Sequence, residues 1–173
     1  MRGGRVSYHQ ELFKFRREHG IELFLGPIVT NVLRDIVEAR EAHLGGDTIQ
    51  LIDKLTGICV YCENALAQTE SQEQKLDFVI REINIDKIFY EITIDIARYD
   101  RDQSPHIFRH IIRKLQLLIE FMDFDFNKCM SENIKKINSY KGKLNPRTGI
   151  WERSITQDQY EIYTPNFKAC KVV

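Results

Sequence analysis

Four oxygen-bearing side chains set the chemistry this chain can attempt: Asp35, Glu38, Gln50 and Asp53. Asp35 and Glu38 lie three residues apart, as do Gln50 and Asp53, and that offset puts each pair on one side of a helix, about one turn apart. Gly45-Gly46 breaks the chain between the pairs. Two antiparallel helices carrying such pairs can converge their oxygens on one divalent cation. Mg²⁺ is the natural candidate and Mn²⁺ an alternative, because hard cations take oxygen ligands and leave positions for water and phosphate. The competing reading is plainer: acidic residues three apart commonly mark the solvated faces of amphipathic helices.

Positioning these pairs requires helices, and the apolar periodicity predicts them. Val29, Val32, Leu33, Ile36 and Val37 form a 3.6-residue stripe over about residues 28–43. A second helix, about 48–66, buries Leu51, Ile52, Leu55, Ile58, Cys59, Cys62 and Leu66 and turns Gln50, Asp53, Gly57 and Asn64 the other way. Asp47 or Thr48 can cap it, and the short connection predicts an antiparallel hairpin. An earlier helix covers Tyr8 to His19 and stops at Gly20. Beyond the hairpin, Leu76, Val79, Ile80 and Ile83 suggest one helix, and Ile85, Ile88, Phe89, Ile92 and Ile96 another. Ile92 to Ile96 also alternates like a strand, but the longer three-and-four spacing favours helix.

Ser104-Pro105 predicts a helix start, with Ser as N-cap and Pro at the first helical position. A long core helix follows through Ile107, Ile111, Leu115, Leu118 and Met122, interrupted at 123–126, and another runs through Met130, Ile134 and Ile137. After Tyr140 the periodicity ends. Asn145 to Gly149 reads as a turn, and Trp151, Tyr160, Tyr163 and Phe167 predict an aromatic-anchored tail over the bundle. The expected fold is all-α: an antiparallel helical bundle in one domain over residues 1–173, with core helices about 8–138 and an irregular C-terminal tail at 139–173.

Composition narrows the function classes. Apolar residues make up 43% and charged residues 29%, with Lys+Arg and Asp+Glu equal at 25 each. A neutral balance gives no electrostatic footprint for duplex nucleic acid or an anionic membrane. No apolar run approaches the ~20 residues that span a bilayer, and the start lacks the apolar stretch of a signal peptide. The expected compartment is the cytosol, that of a host if the chain is viral. Cys59 and Cys62 form a C-x-x-C inside a helical pattern, which reads as small buried thiols, since a zinc or redox role needs another context or a second ligand pair. His106 and His110 stand at i, i+4 without the Glu of H-E-x-x-H or an evident third ligand. Lys135, Lys136, Lys141, Lys143 and Arg147 form a basic cluster that can attract phosphate or favour a helix C-terminus.

Seven stretches carry a resemblance. Glu11-Leu-Phe-Lys-Phe-Arg, Leu33-Arg-Asp-Ile-Val-Glu-Ala-Arg-Glu-Ala42 and Asp47-Thr-Ile-Gln-Leu-Ile-Asp-Lys-Leu55 resemble the MazG-like, all-α nucleoside triphosphate pyrophosphohydrolases, especially phage versions. Met130 to Ile134, Ile137 to Gly142, Gly149-Ile-Trp and Tyr163 to Cys170 are similar to the C-terminal segment of phage members, while 69–102 looks like an elaboration. The resemblance implies Mg²⁺-dependent hydrolysis of a (deoxy)nucleoside triphosphate to monophosphate and pyrophosphate. It implies Asp35, Glu38, Gln50 and Asp53 as metal ligands, Glu38 and Asp53 as catalytic residues, and Asn138 and Lys141 at phosphate or base. It also implies a homo-oligomer, dimer or tetramer. The chain departs from the family pattern in three places. Asp35 replaces Glu, one methylene shorter; Gln50 replaces Glu, losing a charge and any role as a base; and Gly57 stands where many relatives have Asp. Glu41, one turn away, is a candidate substitute ligand. The alternatives are a degenerate relative that binds nucleotide or a partner protein without hydrolysis, and a helical viral structural or interaction protein.

Overall fold

A computed structural model of the chain describes residues 8–19, 26–66, 83–147, 151–154 and 156–172. Six helices build the described part: α1 (Tyr8–His19), α2 (Gly26–Leu44), α3 (Thr48–Leu66), α4 (Ile85–Asp102), α5 (His106–Phe121) and α6 (Phe126–Asn138). The expected all-α fold is correct, and the ambiguity at Ile92 to Ile96 resolves to helix. The helix expected through Leu76 to Ile80 lies outside the described residues.

α2 buries Ile28, Val32, Ile36 and Ala39, the stripe its spacing requires, and leaves Leu33 and Val37 exposed at its border. Gly46 takes a left-handed φ of 72° and Asp47 caps α3, its carboxylate accepting from the Gln50 N–H at 2.9 Å. Arg34 meets Tyr61, Asp35 meets Gly57 and Glu38 meets Lys54; contacts climb α2 as they descend α3, so the two run antiparallel. α3 is the central helix. Leu51, Ile52, Leu55, Ile58, Cys59, Cys62 and Ala65 are buried around it, and α1, α2, α5 and α6 all pack on it.

α4 begins with Asn84 as N-cap, its side chain accepting from the Lys87 N–H at 2.9 Å. It pairs with α5 through the tilted rings of Tyr99 and Phe108, 4.4 Å apart, and through buried Lys114, which reaches Asp95 at 2.8 Å and Glu91 at 3.2 Å. Ser104 does not cap α5. Pro105 occupies the cap position with no side-chain cap bond, and the Ser104 carbonyl accepts from the Ile107 N–H at 3.3 Å. Asp123, at a φ of 63°, ends the passage out of α5, and Asp125 caps α6. No helix among the described residues is long and apolar enough to cross a membrane.

The tail is more ordered than expected. β1 (Gly142–Leu144) and β2 (Trp151–Arg153) pair antiparallel, and two short 3₁₀ turns follow at Gln159–Glu161 and Phe167–Cys170. Strands of three residues are too short to show alternation, so no sequence pattern marks them. Of the expected aromatic anchors, Phe167 is buried, Tyr160 and Tyr163 are exposed, and the Trp151 side chain lies outside the described residues. Burying Phe167 stabilises by roughly 1.5–3 kcal/mol. The polar anchor is Glu132 on α6, which accepts from the Tyr163 hydroxyl at 2.6 Å, the Asn166 N–H at 2.7 Å and Lys135 at 2.6 Å. Burial works against its charge, but these three donors outweigh it and hold the carboxyl at about 2, below its usual range.

A depressed folded-state value means that the stabilisation is complete above the unfolded value near 4.5 and is lost as pH falls through about 2. Glu132→Gln is therefore expected to destabilise by about 2 kcal/mol at neutral pH and by progressively less between pH about 4.5 and about 2. Thermal unfolding of both proteins across that range measures it.

Candidate functional site

The polar corner of the bundle lies where α2, α3 and α6 meet, with α1 closing one side. A cleft of about 490 Å³ opens there, and Asp35 and Glu38 from α2, Asp53 from α3 and Arg16 from α1 are among its lining residues. The helical offsets do the positioning. Three residues separate the α2 acids and four separate Asp53 from Gly57, so each set faces the same way. Gly57 makes room for an acid, since a Cβ there would stand 3.2 Å from Oδ2 of Asp35. With a side chain at 57 the Asp35 carboxylate would have to give way by a few tenths of an ångström.

Asp35, Glu38 and Asp53 each already have a cation. Arg34 donates to Asp35 at 3.2 Å and lies 3.8 Å from Glu38. Lys54 is ion-paired with Glu38. Lys136, from α6, reaches both oxygens of Asp53 at 2.8 Å. Beneath that pair Asn133 donates to the Thr56 hydroxyl at 2.7 Å and to the Asp53 carbonyl at 3.3 Å, and Thr56 in turn donates to the Ile52 carbonyl at 2.8 Å. Burial raises the Asp35 carboxyl despite Arg34 and Lys54, whereas the Lys54 hydrogen bond lowers Glu38. Tyr61 is raised by burial and by Asp35. Arg16 differs from the other cleft cations: its Nε is buried with no hydrogen-bond partner among the described residues, and burial lowers its guanidinium.

Three of the four expected metal ligands therefore share the cleft, and the fourth does not. Gln50 lies in a neighbouring groove of about 770 Å³ between the start of α3 and the tail, which has Asp53, Lys136 and Tyr140 in common with the first. Beside it the Arg153 guanidinium stacks on the Tyr140 ring, 4.5 Å from its centre. Gln50 lies about one turn before Asp53, nearer the start of α3, and Asp53 borders both spaces, so the pair shares a side of the helix but spans two grooves. Asn138 and Lys141 are not among the cleft residues; both are exposed, and Lys141 pairs with Glu161 at 2.8 Å. Glu41 is also exposed and outside the cleft. His106 is exposed and His110 half-buried, and all four cysteines are buried free thiols. The chain matches no protein-family model, no curated protein and no solved structure.

Arg16, Lys54, Asn133 and Lys136 complete the site, and sequence reasoning does not find them as such. Asn133 carries a signal, a polar residue inside the apolar run Met130, Ile134, Ile137 of α6. Lys136 reads in the sequence only as part of the basic cluster over 135–147, and its pairing with Asp53, 83 residues away, leaves no mark there.

The chemistry of the donor set can be set against what Mg²⁺ requires. Mg²⁺ demands near-octahedral oxygens at about 2.0–2.1 Å. Here both Asp53 oxygens are taken by Lys136, Glu38 is taken by Lys54, and Gln50 faces another groove. Among the described residues no three Asp, Glu, His or Cys side chains are grouped to hold a metal ion. In this arrangement the residues do not fit the ion.

The raised Asp35 carboxyl has a consequence for stability. A raised acid favours folding fully below its unfolded value near 3.8 and loses that contribution as pH rises through the folded value. Asp35→Asn keeps the shape and removes the charge, so the variant is expected to match the parent at pH about 3 and to equal or exceed its stability at pH about 7. Denaturant unfolding at the two pH values checks this.

Proposed function

We propose that the cleft binds the phosphates of a nucleoside triphosphate and does not hydrolyse it. The observation that supports this is Arg16. Asp35, Glu38 and Asp53 are matched by Arg34, Lys54 and Lys136, which leaves Arg16, among the described residues, as a further cation whose buried donor has no acceptor. A buried donor without a partner costs about 1–3 kcal/mol, and an anionic oxygen supplies the missing acceptor as a charge-assisted bond. Tyr61, Tyr140 and Asn64 also line the cleft, aromatic and amide side chains of the kind that suit a nucleoside. The nucleotide class itself comes from the sequence resemblance. Absence of turnover follows from the carboxylates: each is neutralised by a cation, so none is free to activate water.

The test is calorimetric titration with each common NTP and dNTP. Saturable binding at one site per chain is expected, weakened by salt, with Arg16→Ala at least tenfold weaker, about 1.4 kcal/mol. A full panel without binding would refute the proposal.

A second reading is Mg²⁺-dependent hydrolysis to monophosphate and pyrophosphate by a homo-oligomer. It is favoured by one observation, that Asp35, Glu38 and Asp53 line the same cleft from adjacent helices. On that reading pyrophosphate release from one nucleotide appears with Mg²⁺ or Mn²⁺ and disappears in Glu38→Gln and Asp53→Asn. A monomer in light scattering counts against it.

A further inference from the structure

We infer that the ammonium of Lys54 stands where a divalent cation would have to sit, so that the cleft engages phosphate without a metal. This rests on the reading of the cleft as a phosphate site.

Lys54 follows Asp53 on α3 and reaches back across the hairpin to Glu38 on α2. Asp35 and Asp53 line the same cleft as Lys54 and Glu38, and both act on the Lys54 charge. The ammonium thus bridges the two acidic helices inside the cleft that a metal held by those acids would have to enter. An ammonium is a compact point charge with three donors. It can hold Glu38 with one donor and still present others to a ligand oxygen, and at 23% side-chain exposure it remains open to the cleft. Lys136 closes the neighbouring position by holding both oxygens of Asp53. Seating Mg²⁺ would require both ammoniums to leave, stranding positive charges beside a doubly charged ion.

Neutral Gln50 lies in the adjacent groove and adds no charge to the cleft. The acids of the cleft are balanced by its own cations.

Two measurements on the whole chain test this. In the first, wild-type protein is titrated with MnCl₂ alone and followed by electron paramagnetic resonance. In the second, nucleotide affinity is compared in EDTA and in Mg²⁺. Expected are no Mn²⁺ uptake in the millimolar range and nucleotide affinities within twofold of each other. Lys54→Met, with Lys54→Gln as a second form and circular dichroism to establish folding, is expected to lose at least tenfold in nucleotide affinity in EDTA and to gain Mn²⁺ uptake. One tightly held Mn²⁺ on the wild type that Glu38→Gln abolishes would overturn the inference, as would a tenfold fall in nucleotide affinity in EDTA. Either result would leave phosphate binding itself intact. If no nucleotide binds in any buffer, the proposed function fails, and the Mn²⁺ titrations of wild type and Lys54→Met still decide whether Lys54 holds the cation position.

Discussion

α3 is packed on by α1, α2, α5 and α6, and the constraint this creates organises the molecule. A helix so enclosed can carry polar groups only where its neighbours answer them, because a buried polar group left unpaired costs more than a formed bond returns. Asp53, Lys54 and Thr56 sit together on one turn of α3. Lys136 and Asn133 answer two of them from α6 and Glu38 answers the third from α2. The site and the packing of the bundle are thus the same set of contacts. α6 cannot shift along α3 without stripping Asp53 of its cation, and α2 cannot shift without separating Glu38 from Lys54.

Much of the fold is legible in the sequence because each helix announces itself locally. The α2–α3 hairpin is readable to within two residues, since Gly45-Gly46 stops one stripe and Asp47 starts the next. The Ser104-Pro105 start is readable in position but not in chemistry. The residue pattern names the serine as the cap, whereas the structure puts Pro105 in that place. The tail is opaque for a different reason. Its order comes from Glu132, Phe167 and backbone bonds such as the Val172 N–H to the Asp123 carbonyl at 2.7 Å, and these join residues far apart in sequence.

The candidate site divides along the same line. Asp35, Glu38 and Asp53 are readable because helical offsets fix which way a residue points. The cations that pair with them are not, since Lys136 arrives from a third helix and the reach of Lys54 across the hairpin depends on how closely α2 and α3 approach. Gly57 faces Asp35 across the same hairpin. In isolation it reads as a defect, a glycine in a helix interior costing about 1 kcal/mol relative to alanine. In the structure it is the gap into which Asp35 fits. The glycine on α3 and the short acid on α2 fit one another: the Asp35 carboxylate is seated against bare backbone.

Compensation of this kind bears on what the site is for. A surface decoration of charges has no need of buried partners, and exposed ion pairs contribute only about 0–1 kcal/mol. Here Asp35 is buried with its carboxyl raised, Arg16 holds a donor with no acceptor among the described residues, and Asn133 is buried to hold the Thr56 hydroxyl and the Asp53 carbonyl. Two of these three features work against stability. Proteins retain such costs where a ligand completes the arrangement, since activity commonly trades against stability. On the proposed reading, a cleft that leaves Arg16 unmatched among the described residues and is lined by Tyr61 and Tyr140 suits an anion that carries a ring. The cost carried at Asp35 and Arg16 therefore argues for a bound partner on physical grounds that do not depend on any resemblance in the sequence.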